Sequence, residues 1–220
     1  MNVRTLPVCA ALLLSTTTLQ GQACLGLASL ETRPMNLTVG GEFTDGTNGG
    51  DARFGFGTAK AFGGVSVRIA KSDGVSGTTK GAGVDGGLSY RIGTTKRVML
   101  CPVASAEYLK TPDIDDGEGG TIEASGTGAT AGLAIGGSVS TSSSVGFIPF
   151  ASLQAAYARV SISNGGTSFS DSDTYGILSG GLGIVLSPAV LVRPFIQVPL
   201  GLDGADPSYG VGVSFAFGKR

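Results

Sequence analysis

Strict alternation of large apolar and very small residues constrains this chain more than any other feature. The clearest run is Ser208 to Gly218 ("SYGVGVSFAFG"), where tyrosine, valine and phenylalanine occupy every second position. Glycine, serine and alanine occupy the positions between them. A period of two is that of a β-strand, whose successive side chains point to opposite faces. The second face of an ordinary half-buried strand carries charged or long polar residues that meet water, so a soluble sheet does not account for this run.

Composition favours an all-β protein. The 220 residues include 38 glycines, yet 41% of the chain is hydrophobic. Disordered chains are less apolar and more charged than this, and a helical bundle would lose about 0.5–1 kcal/mol for each interior glycine. The 15 basic and 16 acidic residues nearly cancel, so we expect no nucleic-acid partner.

Alternating segments recur along the chain and predict about ten strands. Their usual length of about ten residues is typical of a tilted strand that crosses a membrane. The connections between them read alternately long and short, which is typical of an up-and-down antiparallel barrel. We therefore predict such a barrel over residues 35–218, with ten strands or, as the nearest alternative, eight. The predicted segments are 35–44, 53–62, 64–72, 81–92, 97–109, 122–139, 145–160, 174–186, 189–202 and 208–218.

The two faces of these segments differ sharply. One face is apolar and aromatic, as at Val39, Val67 and Tyr108, and the other carries small and polar residues, as at Ser105 and Gln154. A soluble barrel would turn the second face to water, but a surface so poor in lysine and glutamate dissolves badly. We predict that the apolar face meets lipid and the polar face lines the lumen. The alternative is a soluble secreted barrel with the faces reversed, which binds a small apolar ligand inside.

These features together resemble a known group of proteins. The period-two strands with tyrosine and phenylalanine near their ends, the alternating connections and the apolar last strand are similar to the small outer-membrane β-barrel proteins of Gram-negative bacteria, of the OmpA/OmpX-like or opacity type. The resemblance implies the outer membrane as location, lipid and the barrel-insertion machinery as partners, a monomer, and loops that are open to extracellular partners.

The N-terminal segment is predicted to be separate from the barrel. One early positive charge, a short apolar stretch and the small residues before position 24 predict a cleaved signal peptide over residues 1–23. A lead over residues 24–34 then precedes the barrel. Cys24 and Cys101 remain after cleavage and are expected to form a disulfide that pins this lead in the barrel end. Two free thiols, or lipidation of Cys24, are the alternatives.

Charged residues on the predicted inner face form the candidate site. They either pair across strands to satisfy a packed lumen or line a narrow polarised path for small solutes. These residues are Glu42, Arg68, Asp85, Arg91, Arg97, Glu107 and Arg193.

The sequence does not favour a dinucleotide site, a calcium site or a catalytic site. The glycine pattern at 81–86 lacks the helix that a dinucleotide site requires, and the acidic run at 113–120 does not match a calcium loop. The chain contains no histidine, which closes the usual route to general-base catalysis. We therefore expect no enzyme, cofactor or metal site, and a non-catalytic role in membrane structure, surface interaction or narrow solute passage.

Overall fold

The computed structural model describes residues 23–27, 33–58, 60–73, 77–92, 98–115, 121–140, 146–164, 167–202 and 204–218. The predicted signal peptide, apart from Ala23, lies outside these residues, and so do Arg97 and the final Lys219-Arg220. No helix among the described residues has the length and apolarity needed to span a bilayer.

Ten long strands make up the protein. Three short segments lengthen the sheet: Tyr90–Ile92 follows β4, Ile114–Asp115 pairs with the start of β6, and Val139–Ser140 follows β6. The ten strands are β1 (Met35–Thr44), β2 (Thr47–Gly57), β3 (Ala61–Ser72), β4 (Thr79–Leu88), β5 (Val98–Lys110), β6 (Thr121–Gly137), β7 (Gly146–Asn164), β8 (Thr167–Ser187), β9 (Val190–Leu200) and β10 (Ser208–Phe217).

The sheet closes on itself. Each strand pairs antiparallel with the next along the chain, and β1 pairs with β10 from Met35 opposite Phe217 to Phe43 opposite Tyr209. The prediction of a ten-strand up-and-down barrel is confirmed. Because the strand number is even, both chain ends lie at one end of the barrel, which we call the termini end. The opposite end is the far end.

The predicted alternation of long and short connections is wrong at two places. β1 and β2 pair out to Thr44 and Thr47, so only Asp45 and Gly46 separate them. Gly46 has a φ of 72°, a conformation that suits glycine in a tight hairpin turn. β7 and β8 likewise pair out to Asn164 and Thr167. Serine and glycine in these segments were read as loop residues, but here they continue the hydrogen-bonded ladder.

A third difference concerns the turn between β2 and β3. Gly63 and Gly64, predicted to form that turn, lie inside β3 and pair with Phe56 and Gly55. The connection instead falls at residues 58–60, where Thr58 Oγ1 accepts hydrogen bonds from the backbone N–H groups of Lys60 and Ala61. A threonine hydroxyl therefore stabilises a turn that the glycine pair was expected to make.

The apolar face of the barrel is outside. Among the described residues, 28 large apolar side chains are exposed, and all except Phe169 lie on the outward face of the strands. Polar side chains such as Thr38, Arg53 and Gln154 are buried in the lumen. The faces are thus arranged as predicted for a lipid-embedded barrel, and the reversed, soluble arrangement is wrong.

Three strands extend beyond the far end of the barrel. β6 has 17 residues, β7 has 19 and β8 has 21, compared with ten or eleven in most of the other strands. Pairing between β8 and β9 begins at Gly176, so the outer edge of β8 from Thr167 to Tyr175 has no strand partner among the described residues. We call this the β8 edge. Its outward face and that of the neighbouring part of β7 are rich in serine and reach past the apolar surface.

Two aspartates cover part of the β8 edge. The backbone N–H of Ser172 donates to Asp171 Oδ1 at 2.9 Å, and that of Thr174 donates to Asp173 Oδ1 at 2.7 Å. An exposed edge with free N–H groups is a template for pairing with another strand. Local capping by carboxylates, together with their negative charge, opposes that pairing.

Removing these caps should promote self-association. We expect the double variant Asp171→Ala/Asp173→Ala to form larger species in detergent than the wild type, measured by analytical ultracentrifugation. The matched variant Asp171→Asn/Asp173→Asn keeps an acceptor oxygen at both positions but loses the negative charge, so it should associate less than the alanine variant. Asp113→Ala/Asp206→Ala removes two exposed acids away from the edge and controls for net charge. An alanine variant as dispersed as the wild type would contradict the capping role.

Candidate functional site

The termini end of the lumen is filled by a segment of the chain itself. A short 3-10 helix, Ala23–Leu25, lies inside the barrel with Gly26 and Leu27 following it. Leu25 and Leu27 are 2% and 1% exposed. We call residues 23–27 the plug. It packs in one apolar cluster with side chains from β3, β5, β6, β7 and β9, namely Phe62, Met99, Val103, Ala134, Ile148 and Leu191.

A disulfide and an arginine hold the plug in place. Cys24 is bonded to Cys101 of β5, with 6.2 Å between their Cα atoms and no exposed surface on either residue. Arg193 of β9 donates a hydrogen bond from Nη1 to the carbonyl oxygen of Leu25 at 3.0 Å. Its guanidinium lies 5.4 Å from the ring centre of Phe150 and 5.1 Å from that of Phe195, within the range of cation–π attraction.

Two inward-facing glycines make room for the plug. A Cβ at Gly136 would overlap the backbone of Ala23 and Cys24, and a Cβ at Gly183 would overlap the carbonyl of Gly26. Any other residue at these positions would push the plug away from the wall. The small residues on the inner face therefore have a specific role at this end of the barrel.

A buried ion pair spans three strands above the plug. Arg53 of β2 reaches over β3 and bonds both carboxylate oxygens of Asp85 on β4, Nε to Oδ1 at 2.7 Å and Nη2 to Oδ2 at 2.6 Å. The two side chains are 1% and 7% exposed. A Cβ at Gly64, on the strand between them, would overlap the guanidinium, so this glycine opens the path along which Arg53 crosses.

A second ion pair lies nearer the far end. Arg68 Nη2 and Glu42 Oε2 are 2.7 Å apart, with the two side chains 10% and 4% exposed. Asp51 and Glu107 add two more inward carboxylates, and each has one buried oxygen without a hydrogen-bond partner among the described residues. The middle of the lumen is thus a charged layer in which two of the arginines are each bonded to a carboxylate.

Neutral hydrogen bonds complete this layer. The Thr130 hydroxyl donates to Gln154 Oε1 at 2.9 Å and shares a hydrogen bond with Ser105 at 2.8 Å. Gln154 Nε2 donates to Ser152 at 3.2 Å. On the other side of the lumen the hydroxyls of Thr38 and Ser214 are 2.7 Å apart. These bonds join neighbouring strands around the wall.

The far end of the lumen is apolar again, with the residues Leu109, Ala156, Ala158, Tyr175 and Ile177 packed together. Beside Arg193, between the plug and the charged layer, there is a cavity of about 10 Å³. That volume holds about one water molecule. From the termini end to the far end, the described residues of the lumen thus form an apolar plug, a charged middle and an apolar far layer.

The structure brings five of the predicted charged residues together in the lumen: Glu42, Arg68, Asp85, Glu107 and Arg193. Arg91 lies opposite Met99, which puts it on the inward face, but its side chain is exposed at the termini end. It does not join the charged layer, because the segment Tyr90–Ile92 lies at the rim of the barrel.

Sequence reasoning missed Arg53 and Asp51. Gly49 and Gly50 favour a loop, so the predicted second strand begins at Arg53 and excludes Asp51. The signal that could have found them is the dipeptide Asp45-Gly46, which is typical of a two-residue hairpin turn. A strand that begins directly after it places both residues on the inward face.

The polar side chains of the lumen mainly form ion pairs and hydrogen bonds with each other. No group of three or more His, Cys, Asp or Glu side chains in the described part of the chain could hold a metal ion. The described arginines Arg53, Arg68 and Arg193 are bonded to Asp85, Glu42 and the plug, and the Ser208 hydroxyl lies within hydrogen-bonding reach of Glu42. These ion pairs and hydrogen bonds hold the barrel wall and the plug together.

Comparison with known proteins yields matches among solved structures. No protein-family model and no curated protein matches the chain. The transport unit of the autotransporter AIDA-I from Escherichia coli is 12% identical over 96% of this chain and 97% of that one, with a TM-score of 0.56. The chain has the fold of an outer-membrane β-barrel. The chain also matches Ail of Yersinia pestis, with 13% identity over 84% of this chain and 99% of that one and a TM-score of 0.43. A further match is the N-terminal β-barrel domain of OprF from Pseudomonas aeruginosa, with 13% identity over 84% of this chain and 98% of that one and a TM-score of 0.39.

The surface of this outer-membrane barrel fits a bilayer. Tyr108, Tyr157 and Tyr209 are exposed on the outward face toward the far end. At the termini end Phe54 and Phe217 pack with ring centres 6.1 Å apart. Aromatic girdles flanking an apolar band are the mark of a membrane-spanning barrel. The protein therefore resides in the outer membrane, with its apolar face in lipid.

Proposed function

We propose that this protein is a closed, non-catalytic outer-membrane barrel whose role lies in membrane structure and surface contact. The observation that carries this proposal is the plug, which is covalently bonded to the wall through Cys24 and Cys101. A covalent plug below a charged layer of ion pairs supports a lumen that is closed to solutes. Contact with other molecules then falls to the outer surfaces, above all to the extended sheet of β6, β7 and β8.

Narrow solute passage is less well supported. A polarised path would need charged groups free to meet a passing solute, but Arg53 and Arg68 are bonded to Asp85 and Glu42. Arg193 is bonded to the plug.

Export and assembly complete the proposal. Residues 1–23 act as a signal peptide and residues 24–34 as a lead at the periplasmic, termini end. The barrel-insertion machinery places residues 35–218 in the membrane as a monomer. The far end faces outward, where its connections and the extended sheet are available to extracellular partners.

Planar-bilayer recording tests the closed barrel. We expect the purified wild-type protein to give no channel events at any applied voltage. A variant that lacks residues 24–34 serves as the comparison, because it loses the plug and keeps every strand. The proposal would be overturned in favour of a pore if the wild type gave channel events at a frequency similar to that of the deletion variant.

A further inference from the structure

Four cations lie on the outward face at the far end of the barrel. Each lies two residues beyond the outermost apolar residue on the outward face of its strand. These apolar residues are Ile69 for Lys71, Ala82 for Lys80, Tyr108 for Lys110 and Tyr157 for Arg159. All four side chains are exposed. They therefore lie at the boundary where the apolar surface ends and water begins.

Two of these cations face each other directly. Lys80 of β4 and Lys110 of β5 are cross-strand partners, and side chains in such a pair have Cβ atoms roughly 4.5–5.5 Å apart. Like charges directly opposite each other destabilise a sheet. A pair of this kind needs a counter-charge, or it weakens the barrel.

Few ion pairs neutralise these cations among the described residues. Lys110 Nζ lies 4.0 Å from Asp113 Oδ1, and both side chains are more than half exposed, so this ion pair contributes little. Lys80 and Lys71 form no hydrogen bond or ion pair with any described residue. Arg159 donates only to the Ser170 hydroxyl, at 3.2 Å. Glu123, outward on β6 and paired with Ser163, and Asp73, exposed two residues after Lys71, are further acids at this end of the described chain.

We propose that Lys80 and Lys110 together bind the phosphate of an anionic lipid in the surrounding leaflet, with Lys71 and Arg159 on either side of the site. A lipid fits better than a soluble anion because the site is continuous with the apolar surface. The acyl chains would lie against the exposed Ile69, Val84 and Tyr108, while the phosphate meets the lysines at headgroup level. Long cationic side chains at this depth extend to the interface.

Variants of Lys80 and Lys110 that remove or keep the two positive charges test this site. The protein in neutral detergent is titrated with short-chain phosphatidic acid, and the bound lipid is counted by native mass spectrometry. With about 1 kcal/mol for each lysine near a lipid phosphate, Lys80→Gln/Lys110→Gln should bind about 30-fold more weakly. Lys80→Arg/Lys110→Arg keeps both charges and should stay within about threefold of the wild type. Lys60→Gln, exposed at the termini end, controls for net charge and should have no effect.

Two results would overturn the proposal. One is equal binding of phosphatidic acid by the glutamine variant and the wild type, provided that both show the same heat-dependent gel mobility and are thus folded. The other is displacement of the lipid by an equal concentration of inorganic phosphate, which would make this a site for a free anion. The inference rests on the proposed membrane embedding but not on a closed lumen, so bilayer recording can fail while lipid binding succeeds.

Discussion

Replacement of Asp85 by asparagine is expected to lower the free energy of unfolding by about 3–5 kcal/mol. The reason is that Arg53, 1% exposed and bonded to both carboxylate oxygens, would keep its charge in the lumen after losing the carboxylate to which it is bonded. Urea unfolding in detergent micelles, followed by circular dichroism because the chain has no tryptophan, measures the change.

Two further variants separate the ion pair from the general effect of altering the lumen. Glu107→Gln changes an inward carboxylate that forms no ion pair among the described residues, and it should cost much less than Asp85→Asn. Arg53→Met/Asp85→Leu removes both charges and should recover most of the loss, because an apolar pair avoids the desolvation of two ions. Equal destabilisation by Asp85→Asn and Glu107→Gln would contradict the assignment.

Loss of the disulfide is the second large effect. Cys24 and Cys101 are 77 residues apart in sequence, and a cross-link that closes a loop of this length restricts the unfolded chain by about 4–5 kcal/mol. We expect Cys24→Ser/Cys101→Ser to be destabilised by an amount of that order in the same urea assay. The intact mass of the exported protein, alkylated without reductant, should match a bonded chain cleaved after Ala23.

Reductant provides the control for this experiment. Addition of reductant to the unfolded wild type should lower its stability to that of the serine variant, whereas the serine variant itself should not respond. Labelling of two thiols in the unreduced exported protein would show that the bond is absent. The entropic account would be wrong if the serine variant were as stable as the bonded wild type.

The barrel could be predicted from the sequence because the two faces differ in chemistry along every strand. Alternation such as Val65-Ser66-Val67 fixes which side chains face lipid, and strands of about ten residues fix the scale of the barrel. Those features depend only on local sequence. They also placed Glu42, Asp85 and Arg193 on the inward face without any knowledge of their partners.

Turn positions and ion-pair partners could not be predicted in the same way. Glycine serves both in turns and in strands here: Gly46 makes a turn, while Gly64 lies in β3 and admits the Arg53 side chain. The two uses look identical in one sequence, because the second depends on a residue from another strand. The link from Arg53 to Asp85 also skips a strand, so nearest-neighbour pairing rules do not find it.

The bond between Cys24 and Cys101 also makes a covalent ring that contains the whole of β1 to β4. A protease acting from outside the cell on the connections after β1 or β3 would cut inside this ring, and the two products would stay joined. A cut between β5 and β6, at residues 111–120, falls outside the ring and divides the chain into two separate polypeptides. A cut within β1 to β4 therefore leaves the chain covalently connected, whereas a cut after β5 does not.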